Sequence, residues 1–111
     1  MQLLVLFLKK AELINQIMHE LGKNNICGGT IIDGYGMASG LASMSDLPMF
    51  GTLRQIISNQ FNEETKVLLI VVKDQDVINT ANIIKTVIGD INQPNNGVLI
   101  TIPVLYCEGI K

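Results

Sequence analysis

The sequence predicts an α+β fold, a βαββαβ sandwich whose four-stranded antiparallel sheet has two helices on one face and a long loop after the second strand. Two strand–helix–strand patterns follow one another along the 111 residues. Their strands are apolar at successive positions, and their helices are apolar at i, i+3 and i+4. Right-handed crossovers in this order place both helices on the same sheet face, the arrangement called ferredoxin-like. The whole chain, residues 1–111, is then expected to form a single domain.

The first pattern occupies the N-terminal third of the chain. The apolar run LLVLFL, residues 3–8, predicts a strand that is buried on both faces. An amphipathic helix follows, and glycine and asparagine at positions 22, 24 and 25 end it. The second strand lies within ICGGTIIDGYG, residues 26–36. The helix residues predicted to face the core are Leu13, Ile14, Ile17, Met18 and Leu21.

An irregular stretch, residues 37–63, separates the two patterns and is too long for an ordinary connection. It contains a short predicted helix, TLRQIISNQF, with Leu53, Ile56, Ile57 and Phe61 on one face. The stretch is also rich in methionine, which is typical of adaptable docking surfaces. Two interpretations stay open, packing against its own assembly and docking of a partner protein. The residues predicted to contact a partner are Met44, Leu47, Met49 and Phe50.

The second strand–helix–strand pattern follows residues 37–63, and other residues begin and end its helix. Residues 65–73 predict the third strand and residues 97–106 the fourth. Between them lies a helix that Asp74 or Asp76 is expected to cap and that Gly89 ends. The positions of this helix predicted to point inward are Val77, Ile78, Ala81, Ile84, Val87 and Ile88.

The first and third strands are apolar on both faces, but two helices can cover only one face of a sheet. The uncovered face would expose Leu, Ile and Val from several strands, more than a soluble monomer tolerates. Burying such a surface contributes about 25 cal/mol per Å² of apolar area, enough to drive assembly. We therefore predict an obligate homo-oligomer.

Composition excludes several classes of partner. The net charge is −2 and no basic cluster is present, which disfavours binding to nucleic acid. The apolar run at the N-terminus is too short to span a membrane, and its lysines follow it, so we expect neither direct membrane insertion nor export. The cytoplasm is the expected compartment, where Cys27 and Cys107 would be reduced thiols. Their spacing does not indicate a zinc site, and no metal is predicted.

The sequence does not indicate catalysis. His19 is the only histidine and lies off the apolar stripe of its helix, so we predict that it faces solvent. A single histidine cannot assemble with serine or cysteine into a nucleophilic site when it stands apart from them. Asp33 precedes a glycine turn, where we expect it to bond its own backbone. No catalytic residue is predicted, and we do not expect an enzyme.

Two glycine-containing loops remain as candidate binding segments. The first is DGYGMASG, residues 33–40, and the second is GDINQPNNG, residues 89–97. In the second loop Pro94 presets φ, while Asn96 and Gly97 tolerate positive φ, so turn formation alone explains these residues. Neither loop matches the P-loop or the dinucleotide pattern.

The order of these segments resembles that of the PII signal-transduction (nitrogen regulatory protein PII-like) superfamily, and the resemblance covers nearly the whole chain. Members are trimeric ferredoxin-like proteins with a long loop after the second strand and a glycine loop before the fourth. The stretch TIIDGYG, residues 30–36, is similar to the family's strand ending in Gly-aromatic-Gly. The stretches IIKTVIG and NNGVLITIPV are similar to those flanking the family's Gly-Asp-Gly-Lys loop.

The resemblance implies that an adenine nucleotide (AMP, ADP or ATP) binds between neighbouring subunits, against both loops. This chain departs from the family in having Met37 and Ala38 where the family has Arg-Gln, and Val98 where it has the loop lysine. Each charge-assisted hydrogen bond lost costs roughly 1.5–3 kcal/mol, which favours a less charged ligand such as a monophosphate. The positions implied to bind the ligand are Thr30, Gly34, Tyr35, Gly36, Met37, Gly89, Asn95, Asn96 and Gly97.

The function predicted on this basis is that of a PII-like homotrimeric regulator. A small molecule in the cleft between subunits would change the state of residues 37–63, which would then bind or release a target protein such as a transporter or an enzyme. Two alternatives stay open. One is a trimer of the same fold that binds no nucleotide, akin to metal-tolerance trimers. The other is a small dimeric α+β-barrel enzyme with its active site on the open sheet face.

Overall fold

The computed structural model describes residues 1–37, 64–94 and 96–110. The short helix predicted within residues 53–61 therefore lies outside the described residues. So do the predicted ligand residue Asn95 and all the predicted partner residues, Met44, Leu47, Met49 and Phe50.

The fold is α+β, as the sequence predicts, with a four-stranded antiparallel sheet in the order β2-β3-β1-β4. The two central strands are β1 (Gln2–Leu8) and β3 (Thr65–Val72), and the two edge strands are β2 (Gly29–Gly34) and β4 (Gly97–Pro103). Strand β1 pairs with both β3 and β4, and β2 pairs with β3. The arrangement is consistent with a ferredoxin-like fold.

Two helices cover one face of this sheet, as predicted. They are α1 (Ile14–Lys23) and α2 (Val77–Ile88), and a single 3₁₀ turn precedes each, Ala11–Leu13 and Asp74–Asp76. Alternate residues of β1 and β3 pack against the helices and form the core, which excludes water almost completely. Its members are Leu4, Leu6, Leu8, Ile14, Ile17, Leu21, Leu68, Ile70, Val72, Ile84 and Ile88.

Two inward positions predicted from the helix periodicity are wrong. Ile78 is 71% exposed and Met18 is 42% exposed. Ile78 lies about 120° around α2 from the buried Ile84, because successive residues turn by roughly 100°. Thr80 takes the inward position instead and is fully buried. Met18 lies at the margin of the α1 stripe, where the helix leaves part of β2 uncovered.

Thr80 satisfies its buried hydroxyl locally, since Oγ1 donates a 2.8 Å hydrogen bond to the carbonyl oxygen of Asp76. Replacing Thr80 with valine keeps the shape and removes this bond, so we expect the free energy of unfolding to fall by about 1 kcal/mol. Urea denaturation measures the change. Thr86→Val is the matched control, because exposed Thr86 makes the same kind of bond, to Ile83 O. If both variants lost the same free energy of unfolding, burial of the Thr80 hydroxyl would not be the cause of the loss.

The N-terminal cap of α2 and the end of β4 differ from the sequence prediction. Neither Asp74 nor Asp76 caps α2 through its side chain. Asp74 Oδ1 instead lies 3.1 Å from the Met1 amino group and accepts a 3.3 Å bond from Gln2 Nε2. These contacts, the amino group's hydrogen bond first, lower the pKa of Asp74. Strand β4 ends at Pro103 and not at Tyr106, because Pro103 pairs with Gln2, the first residue of its partner strand β1.

The sheet face opposite α1 and α2 is apolar across all four strands. Paired residues point to the same face, so the register places Ile100, Val5, Leu69 and Thr30 in one row across it. The rows on either side contain only apolar side chains, several of them exposed. The members of this open face are Thr30, Ile32, Leu3, Val5, Phe7, Val67, Leu69, Val71, Val98, Ile100 and Ile102.

Candidate functional site

The two candidate binding loops lie at the same end of the sheet but at opposite edges. Gly34, the last residue of β2, pairs with Thr65, and Gly97, the first residue of β4, pairs with Leu8. Strands β3 and β1 stand between them. Three strand spacings separate the two edges, a distance of about 14 Å. One chain therefore does not bring the two loops together into a single site.

The loop after β2 presents a backbone surface with one aromatic side chain. Tyr35 and Met37 are largely exposed, and a Cβ atom added at Gly36 would meet no atom of the described residues within 4 Å. Thr30, also predicted to bind ligand, lies on the open face about 13 Å along β2 from Gly34. It is therefore separate from the other predicted residues of this loop.

A cluster of charged side chains lies at the base of this loop. Lys66 Nζ contacts the carboxylate of Asp33, on the neighbouring strand, and lies 3.8 Å from Glu64 Oε1. Hydrogen bonding to Asp33, opposed in part by desolvation, raises the pKa of Lys66. The expectation that Asp33 bonds its own backbone is thus wrong. Lys66 was not among the predicted site residues. It could have been recognised as the one charged residue of the strand TKVLLIVV.

The loop before β4 is held together by Asp90. Its Oδ1 accepts a 3.0 Å bond from the backbone N–H of Asn92, and its carbonyl oxygen accepts a 2.5 Å bond from Asn96 Nδ2. Asn96 is only 5% exposed, so its side chain faces the loop interior. Sequence analysis did not single out Asp90, although an aspartate after a helix-ending glycine is a common turn signal.

The Asn96 side chain connects the two ends of the loop through its hydrogen bond to Asp90 O. We expect Asn96→Ala to lower the free energy of unfolding by about 1–2 kcal/mol, because the carbonyl oxygen of Asp90 loses its donor. We also expect faster amide hydrogen exchange within residues 89–97. Asn92→Ala is the control, since that side chain is exposed and only its backbone bonds Asp90. Unchanged exchange in Asn96→Ala would show that the bond does not order the loop.

Two glycines of this loop have backbone conformations that other residues rarely adopt. Gly89 ends α2 with φ +88° and ψ −143°, and Gly97 has φ +137°. A Cβ atom at Gly97 would also overlap the carbonyl oxygen of Phe7 on the neighbouring strand. Both residues are therefore required for the shape of the loop, whether or not it binds a ligand.

The described residues of the two loops carry no lysine, arginine or histidine. Val98 is half-exposed on the open face, at the position where the resemblance implies a lysine. His19 is exposed on α1, and both Cys27 and Cys107 are exposed free thiols. Among residues 1–37, 64–94 and 96–110, no group of three His, Cys, Asp or Glu side chains could hold a metal ion. Neither described helix has the length and hydrophobicity needed to cross a bilayer.

Comparison with known proteins finds no family model that matches this sequence and no curated protein similar to it.

Proposed function

We propose that the chain is a PII-like homotrimeric regulator whose subunits join edge to edge, β4 of one subunit to β2 of the next. A small molecule, with an adenine nucleotide as the first candidate class, binds at each joint. It changes the state of residues 37–63, which then bind or release a target protein. The observation that carries this proposal is the position of the two loops, at one end of the sheet but on opposite edges.

Strand directions support the joint. Every neighbouring pair within the sheet is antiparallel, so β2 and β1 run one way while β3 and β4 run the other. Placing β2 of a second copy beside β4 therefore continues the antiparallel alternation without a break. Both strands are edges of the sheet formed by the described residues, and the outward backbone groups of an edge strand favour such pairing. A head-to-tail joint of this kind must close into a ring to stay soluble.

The apolar open face supports ring closure with that face inward. Ten of the eleven positions on this face are apolar, and five of these side chains are 39–51% exposed in the described residues of one chain: Phe7, Ile32, Val98, Ile100 and Ile102. A ring that curves toward the open face buries these side chains among sister subunits and leaves the helices outside. The proposed ring has three copies, the number that the resemblance implies.

The joint also brings the two loops together. Gly34–Met37 of one subunit and Gly89–Gly97 of the next then lie about one strand spacing apart instead of three. The cleft offers backbone N–H groups and the ring of Tyr35, with no cation from the described loop residues. Lys66, at the same end, is already paired with carboxylates. This chemistry favours a ligand of low charge, so we expect AMP to bind better than ATP.

A thermal-shift series with ATP, ADP, AMP and cyclic dinucleotides tests the ligand. We expect AMP to raise the melting temperature most, and Tyr35→Ala to abolish the shift. Gln75→Ala is the control, because exposed Gln75 lies in the 3₁₀ turn at the opposite end of the sheet. No shift with any compound would remove the nucleotide from the proposal. A monomeric mass in multi-angle light scattering at micromolar concentration would overturn the trimer itself.

A further inference from the structure

An apolar groove lies on the helix side of the sheet, beside edge strand β2. It has a volume of about 210 Å³, and α1 forms one wall while β2 and β3 form its floor. The lining includes Met18, Leu21, Ile26, Ile31, Leu68 and Ile70. The 42% exposure of Met18 is a consequence of this opening. The groove also contains the exposed thiol of Cys27, at the end of the sheet where β2 begins.

The segment that follows β4 exposes large side chains to solvent. After Pro103, only the N–H of Val104 continues the backbone pairing, with a 3.0 Å bond to Met1 O. Leu105 is 98% exposed. Tyr106 is also largely exposed. We call residues 104–110 the tail.

We infer that Leu105 and Tyr106 of the tail dock in the α1–β2 groove of the neighbouring subunit. This inference rests on the proposed joint of β4 to β2. In that joint the tail leaves β4 at the end where the neighbour's β2 begins, one strand spacing, about 4.8 Å, from the groove's edge. The groove of its own chain begins at β3, two strand spacings or about 10 Å from β4, whereas two extended residues span only about 7 Å.

The register supports the side on which Leu105 would dock. Odd-numbered residues of β4, such as Leu99, face the helix side of the sheet, where the groove also lies. Leu105 continues this odd-numbered series two residues beyond Pro103. One large aliphatic and part of one aromatic side chain match an apolar groove of about 210 Å³. The tail then locks each joint of the ring from the outside.

The two native cysteines provide a direct test. Docking would place Cys107 of one subunit, two residues after Leu105, next to Cys27 of its neighbour. We expect a short bismaleimide to crosslink the wild-type assembly into dimers and trimers on denaturing gels. Cys27→Ser alone and Cys107→Ser alone should give no crosslinked product. The two variants, refolded together, should again give dimers, which can then only join Cys27 to Cys107 between chains.

Leu105→Ser adds a test of the side chain itself. We expect at least about tenfold less crosslinked product per unit time than in the wild type, because the apolar contact that holds the tail is lost. Ile78→Ser is the control, since Ile78 is an exposed isoleucine of α2 outside the groove. Light scattering on the same samples measures the mass of the assembly and so distinguishes loss of tail docking from loss of the joint between subunits. Trimers without a Cys27–Cys107 crosslink would overturn tail docking alone, whereas monomers would overturn the joint on which it rests.

Discussion

Gly97→Ala should lower the free energy of unfolding by about 3 kcal/mol or more. Positive φ at a residue with a Cβ atom costs of order 1–3 kcal/mol by itself. At Gly97 the added Cβ would also overlap the carbonyl oxygen of Phe7, a backbone atom of the central strand β1. That oxygen cannot move without distorting the β1–β4 ladder. Equilibrium urea denaturation at one fixed protein concentration measures the loss.

Alanine substitutions at two other glycines separate the cost of positive φ from the cost of the contact with Phe7. Gly89→Ala introduces strain from φ +88° in open space, so we expect a smaller loss of about 1–2 kcal/mol. Gly36 has no positive φ and no neighbour within 4 Å in the part of the chain that the structure describes, and Gly36→Ala should change stability by less than about 0.5 kcal/mol. If Gly97→Ala is no less stable than Gly89→Ala, close contact with Phe7 is not the dominant cost.

In the proposed ring, Ile100→Glu should convert the trimer into monomers at concentrations where we expect the wild type to be assembled. Ile100 lies in the middle row of the open face, opposite Val5. In an assembly that buries this face, a carboxylate there has no partner, and an unpaired buried charge costs about 3–5 kcal/mol. That cost weakens association by at least about 100-fold. Sedimentation velocity across a dilution series measures the change in mass.

Thr101→Glu is the matched control for this experiment. Thr101 is the next residue of β4 and is exposed, but it pairs with Leu4 on the helix side of the sheet. The same carboxylate at the neighbouring position should leave the assembly intact. Equal dissociation of both variants would point to a general defect in β4. An intact assembly in Ile100→Glu would mean that sister subunits do not cover the open face.

The secondary structure was largely predictable because it depends on local patterns. The apolar run near the N-terminus predicted β1, and the i, i+3, i+4 spacing predicted α1 with its buried Ile14, Ile17 and Leu21. Ile78 was predicted to point inward because it is apolar, although it lies about 120° around α2 from Ile84. Thr80 lies four residues before Ile84 and points inward with it, but a polar residue is not part of a hydrophobic pattern.

The candidate site was less predictable, because its geometry depends on residues far apart in the chain. Glycine at position 97 was recognised as a turn residue, but its contact with Phe7 depends on the pairing of β4 with β1. The pairing of Asp33 with Lys66 likewise requires the register of β2 against β3. Asn96 was predicted to face a ligand, whereas in the structure its amide faces the loop and bonds Asp90.

By itself, the sequence determined the order of the elements and a sheet with two apolar faces, since hydrophobic periodicity is written residue by residue along the chain. Only the tertiary structure decided which edges the two loops occupy and which apolar residues stay exposed after the helices have packed. Strand order and register arise from contacts between residues separated by most of the chain. No local pattern specifies those contacts, and they place the loops where one chain alone cannot join them.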